Sequence, residues 1–235
     1  MATTMMLSDL RTAARQRADM VNSQFILDAE LNSYINQSYF ELYDLLVQNY
    51  GENYFIATPY TFTTDGTSEF YPLPVDFYKL AGLSVKVFGS VATYIPLRQG
   101  SFGDMQRLSG VNNQAVIGLN NLIYALNANN LWLAPIPQAG QTLRMFYVPR
   151  LTQLVLDTDI VDGVSGWTEY IICDAAIKCL QKEESDVSVL GMEKSALIKR
   201  IEDASSNRDI SSPCTVSDTS MNFIGGSGWR NGWMP

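Results

Sequence analysis

The densest hydrophobic pattern lies between Asp28 and Gly51, where Leu31, Ile35, Tyr39, Leu42 and Leu46 recur at spacings of three and four. That recurrence lays one apolar stripe along a helix of about six turns. Asp28 stands where an N-cap belongs, and Gly51 stands just past the end as a C′ residue. Tyr34, Phe40, Tyr43 and Leu45 make a second apolar set off the stripe. A helix apolar on more than one side packs on two partners, and one of them can be another subunit. Upstream, Ser8-Asp9 offers an N-cap for a first helix over Leu10–Met20, rich in Ala and Arg, and Asn22-Ser23 makes the turn between the two.

After Gly51 the period changes from helical to alternating. Tyr60-Thr61-Phe62-Thr63 and Glu69-Phe70-Tyr71 flank Asp65-Gly66, a hairpin signal. Tyr71-Pro72-Leu73-Pro74-Val75-Asp76-Phe77 then breaks the strand, because proline cannot donate to a ladder. Leu80–Phe88 and Val91–Leu97 read as a second hairpin about Gly89-Ser90, and Ser101–Leu108 as a short helix capped by Ser101. Leu122–Asn127 and Leu131–Ala134 flank the turn residues Asn129-Asn130, and a last strand covers Thr142–Val148. From Gly166 the helical period returns, with Ile171, Ala175 and Cys179 in one row and Ile172, Ala176 and Leu180 in the next. Ser185 or Asp186 can cap a final helix that presents Leu190, Leu197 and Ile201. These elements predict an α+β fold. Residues 1–53 and 164–209 form a helical bundle, residues 54–150 an inserted antiparallel β-rich unit closed as a sandwich or small barrel, residues 151–163 an acidic linker, and residues 210–235 an extended C-terminal arm.

Composition narrows the function. The chain has 235 residues, 46% of them hydrophobic, enough for a core without disulfides. No apolar run approaches the ~18–20 residues of a membrane span. The opening MATTMMLSDLRTAARQR lacks the charged-then-apolar order of a signal peptide, which predicts synthesis in a cytoplasm. The chain has no histidine, so Ser–His or Cys–His catalysis and His-ligated metals are impossible within it. Cys173, Cys179 and Cys214 are too few and too widely spaced for a zinc site, and the first two fall in an apolar helical pattern as small core residues. Asp157-x-Asp159-x-x-Asp162-Gly163 invites a calcium reading, but Val161 takes the fifth loop position, the glycine comes one place late, and Thr168 replaces the bidentate glutamate. An acidic turn capping the next helix fits better. Gly225-Gly226-Ser227-Gly228 precedes neither a helix nor a Lys-Ser/Thr pair, so it is no phosphate loop. No constellation supports catalysis, a cofactor or a metal.

Charge points the same way. Twenty-four acids against 16 bases leave a net −8, the opposite of a protein that grips DNA by its phosphates. An acidic surface suits a wall that DNA slides past, and suits ordinary solubility equally. Arg11, Arg15 and Arg17 are the densest positive cluster. They predict either a solvated helix face paired to Asp19 or Glu30, or a patch that grips carboxylates of a partner. Phe223, Trp229 and Trp233 make the C-terminal arm too aromatic for a linker, so it is expected to dock on its own body or on a neighbour.

The run Leu10-Arg11, Arg15-Gln16-Arg17-Ala18-Asp19 and Asn22-Ser23, followed by Glu30-Leu31, Tyr34-Ile35-Asn36, Ser38 and Glu41-Leu42-Tyr43-Asp44-Leu45, resembles the head-to-tail adaptor (connector) proteins of tailed bacteriophages, short-tailed ones in particular. Leu73-Pro74-x-Asp76-Phe77, Leu131-x-Leu133-x-Pro135-x-Pro137-x-x-Gly140 before Leu143 and Tyr147, and Glu183-Glu184-Ser185-Asp186 before a helix ending Ala204–Asp209 extend the likeness. The resemblance implies a structural virion protein at the head–tail junction. It would form a ring, expected twelvefold, beneath the portal protein, prolong the channel through which DNA is ejected without specific binding, and offer attachment to tail nozzle and fibre proteins. On this reading Arg11, Arg15, Arg17, Tyr34 and Tyr43 contact a neighbouring subunit or the portal, while Phe223, Trp229 and Trp233 dock the arm. Two alternatives stay open: a minor tail or fibre-attachment protein, and a sugar-binding module or enzyme built on the β-rich unit.

Overall fold

A computed structural model describes residues 5–51, 58–87, 93–109, 122–162, 164 and 166–206. The first helix, α1, covers Leu7–Arg17, three residues earlier than its pattern predicts. Its cap is Met6, whose backbone N–H donates to the Asp9 carboxylate at 3.2 Å. It ends in a Schellman turn: Asp19 takes φ 56, and the Met20 N–H donates to the Arg15 carbonyl at 2.8 Å. The long helix α2 covers Asp28–Tyr50, and Gly51 leaves it at φ 71. Its N-cap is Leu27 rather than Asp28. Asp28 is instead the first helical residue, where its charge still suits the dipole and its carboxylate accepts from Arg15 at 2.9 Å.

All five stripe residues of α2 are buried. They share one core with Leu7, Leu10 and Ala14 of α1, with Ile171, Cys173, Ala175, Ala176 and Cys179 of α4 (Thr168–Lys182), and with Leu197 and Ile201 of α5 (Ser188–Ser206). At about 1.5–3 kcal/mol for each large apolar side chain removed from water, this cluster is the main force joining the four helices. The predicted linker also belongs to that core. Leu154 and Val161 are buried in it, and the Asn36 side chain accepts from the Leu154 N–H at 2.8 Å while donating to its carbonyl at 2.9 Å. Residues 151–162 are therefore a strap bonded across the bundle, not a tether.

Among the described residues, eight strands lie between α2 and α4 and form two four-stranded sheets. The first has the order β1 (Tyr60–Thr63), β8 (Thr142–Pro149), β3 (Phe77–Lys86), β4 (Tyr94–Pro96); the second, β2 (Phe70–Pro72), β7 (Asn130–Ala134), β6 (Ile123–Asn127), β5 (Arg98–Gln99). The inward residues of both, Leu83, Val85, Leu143 and Met145 from one and Tyr71, Leu131 and Leu133 from the other, form a common core, which makes the unit a sandwich. The β6–β7 pair is the predicted hairpin, turning through Ala128 and Asn129. The β3–β4 pair is also as expected, although its turn at Gly89-Ser90 lies outside the described residues. The hairpin read at Asp65-Gly66 is wrong. Its two strands belong to different sheets, β1 pairing with β8 and β2 with β7. The turn is real, since the Asp65 carboxylate accepts from the Thr67 and Ser68 N–H groups at 2.9 and 2.8 Å, but it crosses between sheets. The unit is antiparallel-rich as expected, with β5 and β6 the one parallel pair among the described strands. Helix α3 (Phe102–Leu108), capped by Ser101, covers the second sheet with Met105 against Ile123, Trp132 and Ala134.

Candidate interaction surface

The three arginines of α1 are all committed to carboxylates, and not to the Asp19 or Glu30 that sequence proximity suggests. Arg11 bonds Asp157 in the strap and lies 3.6 Å from Asp28. Arg15 donates to the Ser23 and Ile26 carbonyls at 3.0 and 2.8 Å and to Asp28, filling the loop between the first two helices. Arg17 reaches Glu169 of α4 and Glu193 of α5, the latter at 3.1 Å. Glu30 pairs instead with Lys182 at 2.6 Å. Each exposed pair contributes at most about 1 kcal/mol, but together they tie α1 to four other segments.

The two tyrosines of the second apolar set separate. Tyr34 is half-buried at the surface, its hydroxyl donating to Glu30 at 2.8 Å. Tyr43 is 2% exposed and packs with Val47 against Val148, while its hydroxyl donates to the Pro149 carbonyl at 2.7 Å. Tyr43 thus joins the helices to the sandwich within one chain. An acidic residue at Tyr43 would therefore place a charge in that buried joint. Asp44 accepts from the Tyr78 hydroxyl at 2.6 Å and reinforces the same joint.

A buried polar network escaped the apolar-row reading of α4. Asp174 is 2% exposed and accepts from Lys194 at 2.6 Å, from the Ser38 hydroxyl at 2.7 Å and from Lys178 at 2.8 Å. Glu41 accepts from Lys178 at 2.9 Å, so two ammonium groups face two carboxylates across α2, α4 and α5. Burial pushes the Asp174 carboxyl up, but its bonds to Lys178, Lys194 and Ser38 outweigh that and hold it below the usual range. Lys194 is shifted the other way, upward: burial opposes its charge, and the bond to Asp174 prevails. A balanced, fully bonded set of this kind sets the register of three helices rather than performing chemistry.

The acidic run is structural too. The Asp159 carboxylate accepts from the Val155 and Leu156 N–H groups at 2.7 and 2.8 Å, and Asp157 is held by Arg11. Among the described residues no cluster of acids or cysteines is arranged to hold a metal. Cys173 and Cys179 are buried, and burial raises the Cys179 thiol to about 11. Cys214, Phe223, Trp229 and Trp233 lie outside the described residues.

Surface apolar groups concentrate where α1 begins. Met6 bridges to Ile160, and Ser8 donates its N–H to the Asp157 carbonyl, so the strap residues Val155, Leu156 and Ile160 flank the helix start. Arg11 draws Asp28 to the same place, and with it Leu27. Met6, Leu27, Val155, Leu156 and Ile160 are between 41 and 68% exposed. Single exposed apolar residues are ordinary, but five from three segments about one guanidinium form a patch. Ile160 also borders a cleft of about 320 Å³ between the strap and α2, lined by Tyr39, Tyr43, Arg150 and Leu154. Sequence periodicity missed this patch, because its members come from a loop, a cap and a strap. The adjacent pair Val155-Leu156, apolar in an acidic stretch, was the available signal.

The described residues thus form a helical bundle carrying a β-sandwich, with the buried charges bonded to one another across three helices and an apolar patch uncovered among them. The family model described as SU10 adaptor protein matches residues 5–213. The chain belongs to that family, and is a bacteriophage head-to-tail adaptor, a structural component of the virion. No curated protein matches the chain. No helix among the described residues is long and apolar enough to cross a membrane.

Proposed function

We propose that the protein forms a ring beneath the portal of a short-tailed phage. The ring, a dodecamer, prolongs the DNA channel and presents attachment surface for tail nozzle and fibre proteins. The observation that carries this reading is the apolar patch of Met6, Leu27, Val155, Leu156 and Ile160, which belongs to the helical bundle and has no cover within the described chain. The helices and strap thus supply the subunit and portal contacts, with Tyr34 and the carboxylate-bound Arg11, Arg15 and Arg17 at their margin. The arm with Phe223, Trp229 and Trp233 docks on a neighbour, and the sandwich faces outward toward tail components.

Charge distribution supports DNA passage without specific binding. Residues 58–149 hold five cations (Lys79, Lys86, Arg98, Arg107, Arg144) against four acids (Asp65, Glu69, Asp76, Asp104), and the arm 207–235 is neutral, so the negative charge resides in residues 1–57 and 150–206, the helices and strap. A channel wall built from those segments repels DNA rather than holding it. Made in the host cytoplasm, the subunit joins the head–tail junction during assembly. Particles made without this protein test the reading: heads that package DNA but lack tails are expected, whereas tailed, infectious particles contradict it.

A further inference from the structure

The ion pairs of the described chain gather in the helices, while one cation of the sandwich is held in an unusual way. The Arg144 guanidinium carbon lies 3.9 Å from the centroid of the Tyr94 ring and 4.9 Å from that of Phe146. Leu143, Met145 and Tyr147 of β8 point into the sandwich, so Arg144 and Phe146 stand on the outer face of the first sheet. Arg144 is in register with Ser84 of β3 and Thr61 of β1, and its side chain crosses the short Ser84 to reach Tyr94 on β4. Its Nε is buried without a hydrogen-bond partner, and no carboxylate among the described residues pairs with the group. Lys86, in register with Tyr94 on the same face, also lacks an ion pair among them. Gly82, in register with Phe146, leaves open space where a side chain would stand.

The four acids of the sandwich are all engaged elsewhere. Asp65 holds its own turn, Glu69 accepts from Ser109 and Trp132, Asp76 accepts from Tyr147, and Asp104 from Ser101. The outer face of β1, β8, β3 and β4 is therefore a cationic face on an acidic molecule. Stacking between two rings fixes the plane of the guanidinium in advance, which lowers the entropy lost when its remaining N–H donors are used.

We propose that this face is a docking site for an acidic protein segment, with Arg144 as the receptor for one of its Asp or Glu carboxylates and Lys86 as a second, longer-range contact. A planar fork with unused donors matches a carboxylate in two parallel bonds. Nucleic acid fits less well. Two cations fall short of the dense array that phosphates require, and the ring faces turned toward Arg144 are already occupied and closed to bases.

The full-length, isotope-labelled protein provides the test, with the Arg144 Nε–H resonance followed by NMR at low salt. Three probes are compared: a short capped peptide alternating Glu and Ser, the same peptide with Gln for Glu, and a single-stranded oligodeoxynucleotide of equal length. The Glu peptide is expected to shift the resonance saturably and the Gln peptide to leave it unmoved. Arg144→Lys, which keeps the charge but not the fork, is expected to bind at least about tenfold more weakly with an unchanged unfolding midpoint. Because that midpoint is read separately, a misfolded variant is recognised, and Tyr94→Leu, which removes one stacking ring, then serves as the second variant with the same expected weakening. Equal shifts by both peptides, no shift by either, or tighter binding of the oligonucleotide would each overturn the proposal.

Discussion

Replacing Asp174 by Asn tests whether the buried network holds the helices in register. The substitution keeps the shape of the side chain but turns one acceptor into an N–H₂ donor, facing an ammonium that sits 2.6 or 2.8 Å from a carboxylate oxygen in the parent. Breaking a buried ion pair costs about 3–5 kcal/mol. Here Lys178 and Lys194 retain 18 and 27% side-chain exposure, and Glu41 still faces both, so the loss should fall nearer 2–3 kcal/mol, at or below that range. Far-UV circular dichroism reads the helices that the network joins. With a urea slope of about 3 kcal/mol per molar, the midpoint should fall by roughly 0.7–1 M near neutral pH. The pH dependence is equally specific. Asp174 titrates lower in the folded chain than in the unfolded one, so its contribution is full above the unfolded value of about 3.9 and lost as pH falls through the folded one. The gap between parent and variant should therefore hold steady from about pH 5 to 8 and close below about pH 4. A midpoint change under about 0.2 M near neutral pH, or a gap undiminished in acid, refutes the reasoning.

Other outcomes follow from particular contacts. Tyr34→Glu should change the unfolding free energy read from the urea titration by less than about 1 kcal/mol yet block ring formation, whereas Tyr43→Glu should cost more than about 3 kcal/mol, because it buries a charge beside Val148; equal midpoints for the two would refute the division. Gly66→Ala should cost about 1–3 kcal/mol in the same titration, since Gly66 sits at φ +81 and a Cβ there would lie 2.8 Å from that of Ala139. Truncation after Ser206 keeps Leu197 and Ile201, so the midpoint should be unchanged while assembly is lost; a lowered midpoint would show that the arm packs on its own body.

Much of the helical half was legible because its information is local. The five-residue stripe of α2 repeats at the helical period, and Gly51 ends it in the conformation that glycine favours. What failed was partner choice. Asp65-Gly66 announces a turn in chemistry any reader can see, yet nothing near it says that β1 will find β8 and β2 will find β7, some eighty and sixty residues away. The arginines of α1 were rightly expected to meet acids, but Asp157, Glu169 and Glu193 come from the strap and the last two helices. Asp174 sits between two apolar rows, and a lone acid on a helix reads as solvent-facing until Ser38 and Lys194 are brought up to it. The strap shows the same limit, since Asn36 gives no hint in sequence that it will hold the Leu154 backbone at both ends. Residues 154, 161 and 164 are apolar at loose intervals that match neither a helix nor a strand.

The central claim is that the helical bundle and its apolar patch assemble a ring on a portal. Purified protein mixed with isolated portal rings and imaged by electron microscopy tests it most directly. A second ring stacked coaxially on the portal, lost when Leu156→Asp is introduced into the patch, is the predicted result. Portal rings left bare under saturating protein, or rings that form undiminished with the Leu156→Asp variant, would contradict it.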